Sequence, residues 1–415
     1  MEPDEHIFRR EAGRITAALT RIFGVHNLAL VEDVVQDAFC RALETWRIRG
    51  VPENPSAWLM TTAKRRAIDV LRRERTARTF APELERQLQS EWTLVPTVDE
   101  KFGASAIKDD QLRMMFSCCH PRLPEQAQVA LVLHLLCGFS IGEIANAFLS
   151  GHAATEKRVT RAKKVLGSTK RLFDLGDRDF AARLSAVQRA LYLLFNEGYH
   201  GASSESAVRA ELCREAMRLA AFLLDQPLAA TPATYALCAL MYLHAARLPA
   251  RVDPAGNLSS LLDQDRSRWD KSLVRKGRKL LDLSARGNTL TEYHVEAAIA
   301  AEHACAPRAE DTNWRSIVAL YDRLLELRAS PVIALNRAIA VGQLEGPERG
   351  LAEIHAIADS ERLARYPFYA AALGELELRN GRREIARDHF CAARALARNE
   401  MEKRFLDLRV LACER

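Results

Sequence analysis

Long apolar runs are missing from this sequence. No stretch reaches the roughly 18 uncharged apolar residues that a membrane-spanning helix needs, and the first ten residues, MEPDEHIFRR, have no apolar core. The nine cysteines are scattered and include no Cys-x-x-Cys pair, as expected for a protein that is kept reduced. These absences predict a soluble, cytoplasmic protein with no membrane partner.

Motifs for catalysis and for cofactor binding are missing as well. The chain has no Gly-rich phosphate loop, no His-Glu-x-x-His zinc motif and no nucleophile elbow. Cys118, Cys119 and His120 could suggest a metal or redox site, but adjacent cysteines cannot easily both bind one ion, and no second ligand pair stands nearby. We therefore predict no catalytic residue, no metal and no cofactor.

Glycine and proline are scarce for a chain of 415 residues, at 19 and 15, whereas alanine, leucine, arginine and glutamate are frequent. The frequent residues lose little side-chain freedom in a helix, which favours helix over sheet. A hydrophobic content of 48% is enough for more than one core. The composition predicts an all-α protein of several domains with almost no strand.

Positive charge is concentrated in two segments, although the formal net charge is only +6. Residues 61–78 carry seven basic side chains against two acidic ones, and residues 153–171 carry seven against one. Each basic segment lies next to an acidic or apolar one, which indicates two nucleic-acid contacts on one chain. The alternative is that both segments are solvated faces of ordinary helices.

The first basic segment belongs to a predicted pair of helices. An apolar stripe runs along residues 31–46 at steps of three and four and leaves Asp33, Gln36 and Asp37 toward solvent. The stripe consists of Val31, Val34, Val35, Ala38, Phe39, Ala42 and Trp46. The prolines of VPENP then interrupt the helix, and Ser56 is the predicted N-cap of the second helix.

The second basic segment is the last of three predicted helices. An apolar helix ends at Gly138, and Ser140 with Glu143 forms a capping box that starts a short helix. A turn at Ser150 and Gly151 leads into the basic helix. This order is typical of a helix-turn-helix, whose second helix enters the DNA major groove. A helical hairpin without DNA binding is the alternative.

Three runs in these segments resemble one family. LVEDVVQDAFCRALETW and NPSAWLMTTAKRRAIDVLRRER resemble region two of the extracytoplasmic-function (ECF) sigma factors of bacterial RNA polymerase, and FSIGEIANAF with KRVTRAKKVL resembles region four. The resemblance covers about the first 170 residues, in the right order. It implies an alternative sigma factor that binds core RNA polymerase and promoter DNA and is not an enzyme.

The same resemblance implies roles for single residues. Asp33, Gln36 and Asp37 would bind the clamp helices of the polymerase β′ subunit, and the apolar helix before Gly138 would meet the β flap. The segment that would read and melt the minus-ten element contains Asn54, Trp58, Lys64, Arg65, Asp69, Arg72 and Arg73. The contacts to the minus-thirty-five element would be Thr155, Lys157, Arg158, Arg161, Lys163 and Lys164, with Arg158 as the base reader and the lysines on phosphates.

More than half of the chain follows residue 176 and needs a core and a role of its own. Near its end, small residues recur at the spacing of a tetratricopeptide repeat. The last repeat has Gly374, Ala386, Phe390 and Ala393, and the one before it has Ala340 and Ala352, with Gly346 and Gly381 in the turns. Stacked helix pairs of this kind form a concave surface for a protein or peptide partner. Helical hairpins without a ligand are the alternative.

Other phrases resemble the ECF group that carries a tetratricopeptide-type C-terminal extension: LYLLFNEGY, PARVDPAGN, LLDQDRSRWD and LNRAIAVGQLEGP. The resemblance implies that the extension controls or enables activity in place of a separate membrane-bound regulator. The polar runs 196–199 and 263–270 could be mistaken for catalytic clusters, but buried ion networks or turn caps explain them more simply.

The predicted domains are region two at 1–80, a linker at 81–110, region four at 111–175, a helical extension at 176–290 and tetratricopeptide-like repeats at 291–415. Two other functions are considered beside a sigma factor. A helical-repeat scaffold would need both basic helices to be mere solvated faces. A helical enzyme would need a complete catalytic constellation, which the cluster at 263–270 does not supply.

Overall fold

The computed structural model describes residues 5–74, 104–147, 150–168, 177–200, 208–364 and 366–414. Within these ranges the chain is helical and forms no β-strand beyond an isolated bridge between Val252 and Leu258. The prediction of an all-α fold is confirmed. Most of the predicted linker, residues 81–103, lies outside the described residues.

Nineteen α-helices are described. They are α1 Glu5–Phe23, α2 Leu28–Arg49, α3 Pro55–Glu74, α4 Ala104–Cys118, α5 Glu125–Leu135, α6 Ile141–Ala147, α7 His152–Gly167, α8 Asp177–Tyr199, α9 Ala210–Leu224, α10 Pro232–Ala245, α11 Leu248–Arg251, α12 Lys271–Ser284, α13 Glu292–Cys305, α14 Trp314–Leu327, α15 Pro331–Leu344, α16 Pro347–His355, α17 Pro367–Arg379, α18 Arg383–Ala395 and α19 Glu400–Cys413. In the ranges covered, no helix is both long and apolar enough to cross a membrane.

The helices form two compact units. Unit 1 consists of Met1–Leu194 and Asp225–Ala229, and unit 2 consists of Phe195–Leu224 and Ala230–Arg415. The division falls inside α8. The domain boundaries inferred from the sequence stay predictions.

Helices α1, α2 and α3 enclose a core in unit 1 because each carries an apolar stripe at helical spacing. The stripe predicted on α2 is buried, except that Phe39 packs against the core from its edge. The Trp46 ring stacks on Phe8 at 5.4 Å and meets the Trp58 ring edge-on at 5.5 Å. These three rings hold the end of α2 against the starts of α1 and α3.

The prediction of Ser56 as the N-cap of α3 is wrong. Helix α3 begins at Pro55, and Asn54 Oδ1 accepts a hydrogen bond from the backbone N–H of Ala57 at 3.0 Å. Asn54 is therefore the N-cap, because its side chain satisfies one of the unpaired N–H groups of the first turn. Pro55 takes the first helical position, where an N–H would have no partner within the helix.

The predicted helix ends around α5 and α6 are confirmed. Gly138 follows α5 with a φ of +67°, a left-handed conformation that glycine adopts without strain. The Ser140 N–H donates to Glu143 Oε2 at 2.8 Å, and the Glu143 N–H donates to Ser140 Oγ at 3.2 Å. This reciprocal pair is the capping box that starts α6.

Helix α1 packs against both α4 and α5. Gly13 allows the approach to α5, since a Cβ atom at this position would lie 1.9 Å from the carbonyl oxygen of Leu136. Such a distance is not possible without moving one of the two backbones. The packing of α1 on the end of α5 therefore depends on a glycine.

Cys118 and Cys119 are buried at the end of α4. Burial raises the pKa of the Cys119 thiol to about 12, so the group stays protonated at neutral pH and is a poor metal ligand. The Nδ1 atom of the His120 ring accepts a hydrogen bond from the Arg122 N–H at 3.2 Å. The two cysteines thus pack in the interior of unit 1, and His120 bonds to the turn that follows.

In unit 2 the helices from α13 onward pack in succession, α13 on α14, α15 on α16, α17 on α18 and α18 on α19. Gly374 faces Phe390 as its spacing predicts: a Cβ at Gly374 would lie 2.9 Å from a ring carbon of Phe390. Ala386 and Ala393 are fully buried beside the same ring. Small residues thus let α17 and α18 approach closely.

Ala352 is exposed, so its prediction as a small packing residue is wrong. The turn between α15 and α16 is one residue shorter than the turn between α17 and α18. A shift of 34 residues therefore does not superpose the two pairs, and the buried face of α16 falls on Gly350, Leu351 and Ile354 instead.

Candidate nucleic-acid interface

Helices α2 and α3 and the turn between them form a pocket of about 700 Å³ on unit 1. It is lined by Arg41, Thr45, Pro52, Asn54, Ala57, Trp58, Thr61, Thr62 and Arg65. No acidic side chain is among these lining residues, and Arg41 and Arg65 are exposed. A cationic pocket with an aromatic wall can hold an unstacked base while its arginines hold phosphates.

The pocket brings together three of the residues predicted from the sequence, Asn54, Trp58 and Arg65. Trp58 is half-buried, and its ring is held by the edge-on contact with Trp46. Asn54 contributes in a second way, because its amide oxygen caps α3.

Sequence reasoning missed Arg41, Thr45, Thr61 and Thr62 as pocket residues. Arg41 and Thr45 stand four residues apart on α2, off its apolar stripe, which is the signal that could have suggested a shared face. The sequence does not show that this face of α2 lies against α3, because the contact depends on how the two helices pack. The Thr61 and Thr62 hydroxyls donate to backbone carbonyls one turn earlier at 2.8 and 2.9 Å, so their oxygens can still accept.

Beyond the pocket, Arg65, Asp69 and Arg72 continue one exposed face of α3, since they are separated by four and three residues. Arg73 is also exposed, and Lys64 is half-buried. All seven residues predicted on this segment therefore have side chains that solvent can reach, and one of them, Asn54, also caps the helix.

The acidic residues predicted on α2 differ in their surroundings. Asp33 and Gln36 are exposed. The Asp37 carboxylate lies 2.7 Å from Arg66 Nε, and this ion pair joins α2 to α3. Asp33 and Gln36 are free to meet a partner in this conformation, whereas Asp37 is already engaged.

On α7 the residues Lys157, Arg161 and Lys164 are exposed and are spaced by four and three, which places them on one face. The opposite face, with Val159, Ala162 and Leu166, is buried as its pattern predicts. Helix α7 therefore offers a basic stripe of three side chains.

Arg158 is half-buried on the same helix, and its Nη1 is buried without a hydrogen-bond partner in the protein. A buried guanidinium nitrogen without a partner is unusual, because buried polar groups are nearly always bonded. This nitrogen is buried in the present conformation, so a bound group can reach it only if the Arg158 side chain moves.

Thr155 is fully buried. Its hydroxyl lies 2.7 Å from the Ser150 hydroxyl and donates to the Gly151 carbonyl at 3.2 Å. These bonds fix the turn in front of α7. A buried hydroxyl cannot reach a DNA phosphate. We therefore no longer count Thr155 among the predicted DNA contacts.

Lys163 lies away from the exposed stripe. Its ammonium is 2.5 Å from Glu32 Oε1 on α2 and 3.1 Å from His134 Nε2 on α5. His134 Nδ1 donates to the Phe139 carbonyl at 2.9 Å, and Nε2 faces Glu32 Oε1 at 3.1 Å as well as the Lys163 ammonium. One lysine, predicted to hold a phosphate, instead joins α7 to α2 and α5.

The same cluster controls the charge of Glu32. Burial alone would raise the pKa of its carboxyl, but hydrogen bonds from His134 and Lys163 outweigh burial, and the pKa is lowered below its ordinary value of 4.5. Glu32 is therefore charged at neutral pH.

A second ion pair joins the same parts of unit 1. Arg9 Nη2 on α1 lies 2.8 Å from Glu143 Oε1 at the start of α6, and its guanidinium lies 5.2 Å from the centre of the Phe139 ring. Burial raises the pKa of Glu143, but the Ser140 backbone N–H and Arg9 outweigh it, so the pKa is lowered. Together with the Lys163 cluster, this pair holds α1 and α2 against α5–α7.

Comparison with known proteins identifies the family of the segment that contains α1, α2 and α3. Residues 7–77, which include the α2–α3 pocket, match the family described as "Sigma-70 region 2". Residues 183–285 match a second family, described as "Family of unknown function (DUF6596)". With its sigma-70 region 2, the protein is a member of the sigma factor family.

One relative covers nearly the whole chain. It is the uncharacterized protein R00370 of Rhizobium meliloti (strain 1021), which is 39% identical over 395 residues, 95% of this chain and 92% of that protein. The chain therefore belongs to the same protein family as R00370.

Proposed function

We propose that the protein is an ECF-type sigma factor, which binds core RNA polymerase and directs promoter-specific initiation of transcription. The observation that carries the proposal is the pocket of Asn54, Trp58 and Arg65, which lies inside the segment that matches sigma-70 region 2. A sigma factor is a specificity subunit, so these residues bind and position DNA and take no part in bond chemistry.

The pocket supplies what promoter melting needs. A base that leaves the duplex loses its stacking, and an aromatic wall such as Trp58 compensates for part of that loss. Arg41 and Arg65 flank the pocket, and the exposed face of α3 continues it with Arg72. The displaced strand thus has a cationic path along α3.

Core binding is proposed on the exposed part of α2. Asp33 and Gln36 present polar side chains there, and Asp37 joins them if its ion pair with Arg66 opens. The proposed partner is the clamp-helix surface of the β′ subunit, with the apolar α5 meeting the β flap. The burial of most of α5 within unit 1 means that this second contact requires α5 to become more accessible.

The second DNA contact is proposed on α7. Lys157, Arg161 and Lys164 form its exposed basic stripe, and Arg158 keeps an unused guanidinium donor. Helix α6, with its capping box, and α7 have the order of a helix-turn-helix, in which the second helix enters the major groove. The minus-thirty-five element is the proposed target.

The C-terminal extension is proposed to regulate activity through tetratricopeptide-like helix pairs. The close packing of Gly374 on Phe390 supports this, because it repeats the small-residue contact expected between the two helices of such a pair. A protein or peptide is the proposed ligand of these pairs.

The test uses the full chain with core polymerase and a promoter selected from a random DNA library. We expect specific initiation with the wild type, strong loss of open complex in Trp58→Ala and partial recovery in Trp58→Phe, which keeps an aromatic wall. Arg41→Ala should weaken opening, whereas Arg47→Ala, an exposed arginine of α2 outside the pocket, should not. If the wild type neither binds core polymerase nor opens any promoter, the proposal is wrong.

A further inference from the structure

Four nitrogen-bearing side chains surround the ring of Tyr199 in unit 2. The guanidinium carbons of Arg251 and Arg247 lie 4.5 and 5.9 Å from the ring centre. The rings of His200 and His244 lie 4.7 and 5.0 Å from it. These residues come from the end of α8, from α10 and from both ends of α11, so only the fold brings them together.

Among the described residues, no carboxylate forms an ion pair with Arg247 or Arg251. Arg247 Nε lies 3.5 Å from Gln264 Oε1, and Arg251 Nη2 donates to the Tyr199 carbonyl at 3.0 Å. Arg247 is 6% exposed. Holding a buried charge without a counter-charge costs several kcal/mol by general estimates, which is the arrangement expected where a ligand supplies the negative charge.

Three polar atoms at this place have no hydrogen-bond partner among the described residues. The Tyr199 hydroxyl is buried and unbonded, and Tyr199 is only 2% exposed. Arg251 Nε and His244 Nδ1 are likewise buried without a hydrogen-bond partner. Because buried polar groups are normally bonded, three unbonded polar atoms in one cluster are the arrangement expected where a ligand completes the hydrogen bonds.

The electrostatics agree with this geometry. Burial lowers the pKa of His244 well below 6.5, and the neighbouring Arg247 and Arg251 lower it further. Burial, then Arg247 and Arg266, lower the pKa of His303 to about 3. The local potential is therefore positive, and the histidines are neutral donors or acceptors at pH 7.

Three of the phrases noted in the sequence meet here. Tyr199 ends LYLLFNEGY, Arg251 lies in PARVDPAGN, and Trp269 of LLDQDRSRWD stands 5.6 Å from the Arg247 guanidinium. The aspartates of the last phrase are turn caps, as predicted: Asp265 accepts from the Ser267 N–H at 2.9 Å, and Asp270 caps α12. They do not pair with Arg247 or Arg251. All of these residues fall in the segment that matches the family of unknown function.

We propose that unit 2 holds an oxyanion-binding site formed by Tyr199, Arg247 and Arg251, and that its ligand is a small molecule with a phosphate or carboxylate group. Guanidinium groups match either oxyanion with paired N–H donors, and the Tyr199 hydroxyl supplies a third donor. The ligand is small because a guanidinium that is 6% exposed is not accessible to a phosphate of duplex DNA.

The test is binding to the full chain without polymerase. Thermal unfolding and titration calorimetry are measured with inorganic phosphate, with acetate and with chloride at equal ionic strength. We expect saturable stabilisation by phosphate or by acetate but not by chloride, because a ligand of the native state raises the unfolding midpoint. The first two salts distinguish a phosphate ligand from a carboxylate ligand.

The variants separate a binding site from a structural cluster. Arg251→Gln should weaken binding at least tenfold, and Tyr199→Phe, which removes only an unbonded hydroxyl, should weaken it several-fold without loss of folding. Arg278→Gln on α12, an exposed arginine outside the cluster, is the matched control and should bind as the wild type does. No response above chloride, or equal responses in all variants, would overturn the site. Because no polymerase is used, such a failure leaves the proposed sigma factor function untouched.

Discussion

The Glu32 carboxylate and the Lys163 ammonium lie 2.5 Å apart, although 131 positions separate them in the sequence. A lysine bonded to a carboxylate and to His134 is not available to a DNA phosphate. We call this arrangement of unit 1, in which the contact ties α7 to α2, the closed form. Binding of Lys163 to DNA requires this contact to break first.

Glu32→Gln should loosen the closed form, because it removes the negative charge that holds Lys163. We expect faster amide hydrogen exchange in α7 and α5 and a loss of about 1 kcal/mol or less, since the pair is partly exposed and screened by solvent. Glu44→Gln, on the exposed face of the same helix, is the control. Equal exchange in the two variants would show that the pair contributes nothing to closure.

The closed form should open in acid. Glu32 and Glu143 have folded pKa values below 4.5, so each contributes stability that is fully present above pH 4.5 and is lost as the pH falls through the lowered value. Hydrogen exchange of α5–α7, measured from pH 6 downward and corrected for intrinsic rates, should rise in that window. The double variant Glu32→Gln, Glu143→Gln should remove most of this dependence, and an unchanged pH profile would contradict the assignment.

Asn54 has two proposed roles, and one pair of variants separates them. Asn54→Ala should cost about 1 kcal/mol of stability through loss of the N-cap. Asn54→Asp keeps a capping oxygen and should fold normally, but its negative charge in the pocket should weaken promoter opening. Thermal unfolding and open-complex formation are the two measurements. Normal opening in Asn54→Asp would leave Asn54 with a purely structural role.

The residues of α7 should differ in their response to salt. If Arg161 holds a phosphate, Arg161→Ala should reduce the slope of log affinity against log salt by about 1. Lys163→Ala should reduce it less if Lys163 remains paired with Glu32. Thr160→Ala, an exposed neutral neighbour, is the control. A slope that stays constant in Arg161→Ala would remove the stripe from the DNA surface.

Gly374→Ala should destabilise unit 2, because the added methyl group would lie 2.9 Å from the Phe390 ring. Overpacking of this kind typically costs about 1–3 kcal/mol. Adding Phe390→Leu to the first change should recover part of the loss by making room. Denaturant unfolding measures both. If Gly374→Ala is as stable as the wild type, the contact is looser than its geometry indicates.

Patterns with a short period could be predicted from the sequence. The apolar stripe of α2 and the capping box of Ser140 and Glu143 depend on residues within one or two turns, so their spacing alone determines them. The error at Ser56 has the same local origin: both Asn54 and Ser56 are good capping residues, and the choice between them depends on where Pro55 enters the helix.

Contacts between distant segments could not be predicted. Nothing in the sequence near Lys163 indicates Glu32, and nothing near Tyr199 indicates Arg247 or Arg251, because each contact exists only after the helices have packed. Thr155 shows the same limit: its position before a basic helix suggests a DNA contact, whereas its burial follows from the turn at Ser150. The chemical type of a residue can be read from the sequence, but the accessibility of its side chain depends on how the helices pack.

Gly13 is the residue on which the packing of α1 against the end of α5 depends. Because the Leu136 carbonyl lies where a Cβ would be, a relative with alanine or serine at this position cannot pack α1 on α5 in the same way. A single methyl group at position 13 would therefore force one of the two backbones to move. The residue found at this buried position in a homologous sequence thus predicts whether α1 can pack on the end of α5 as it does here.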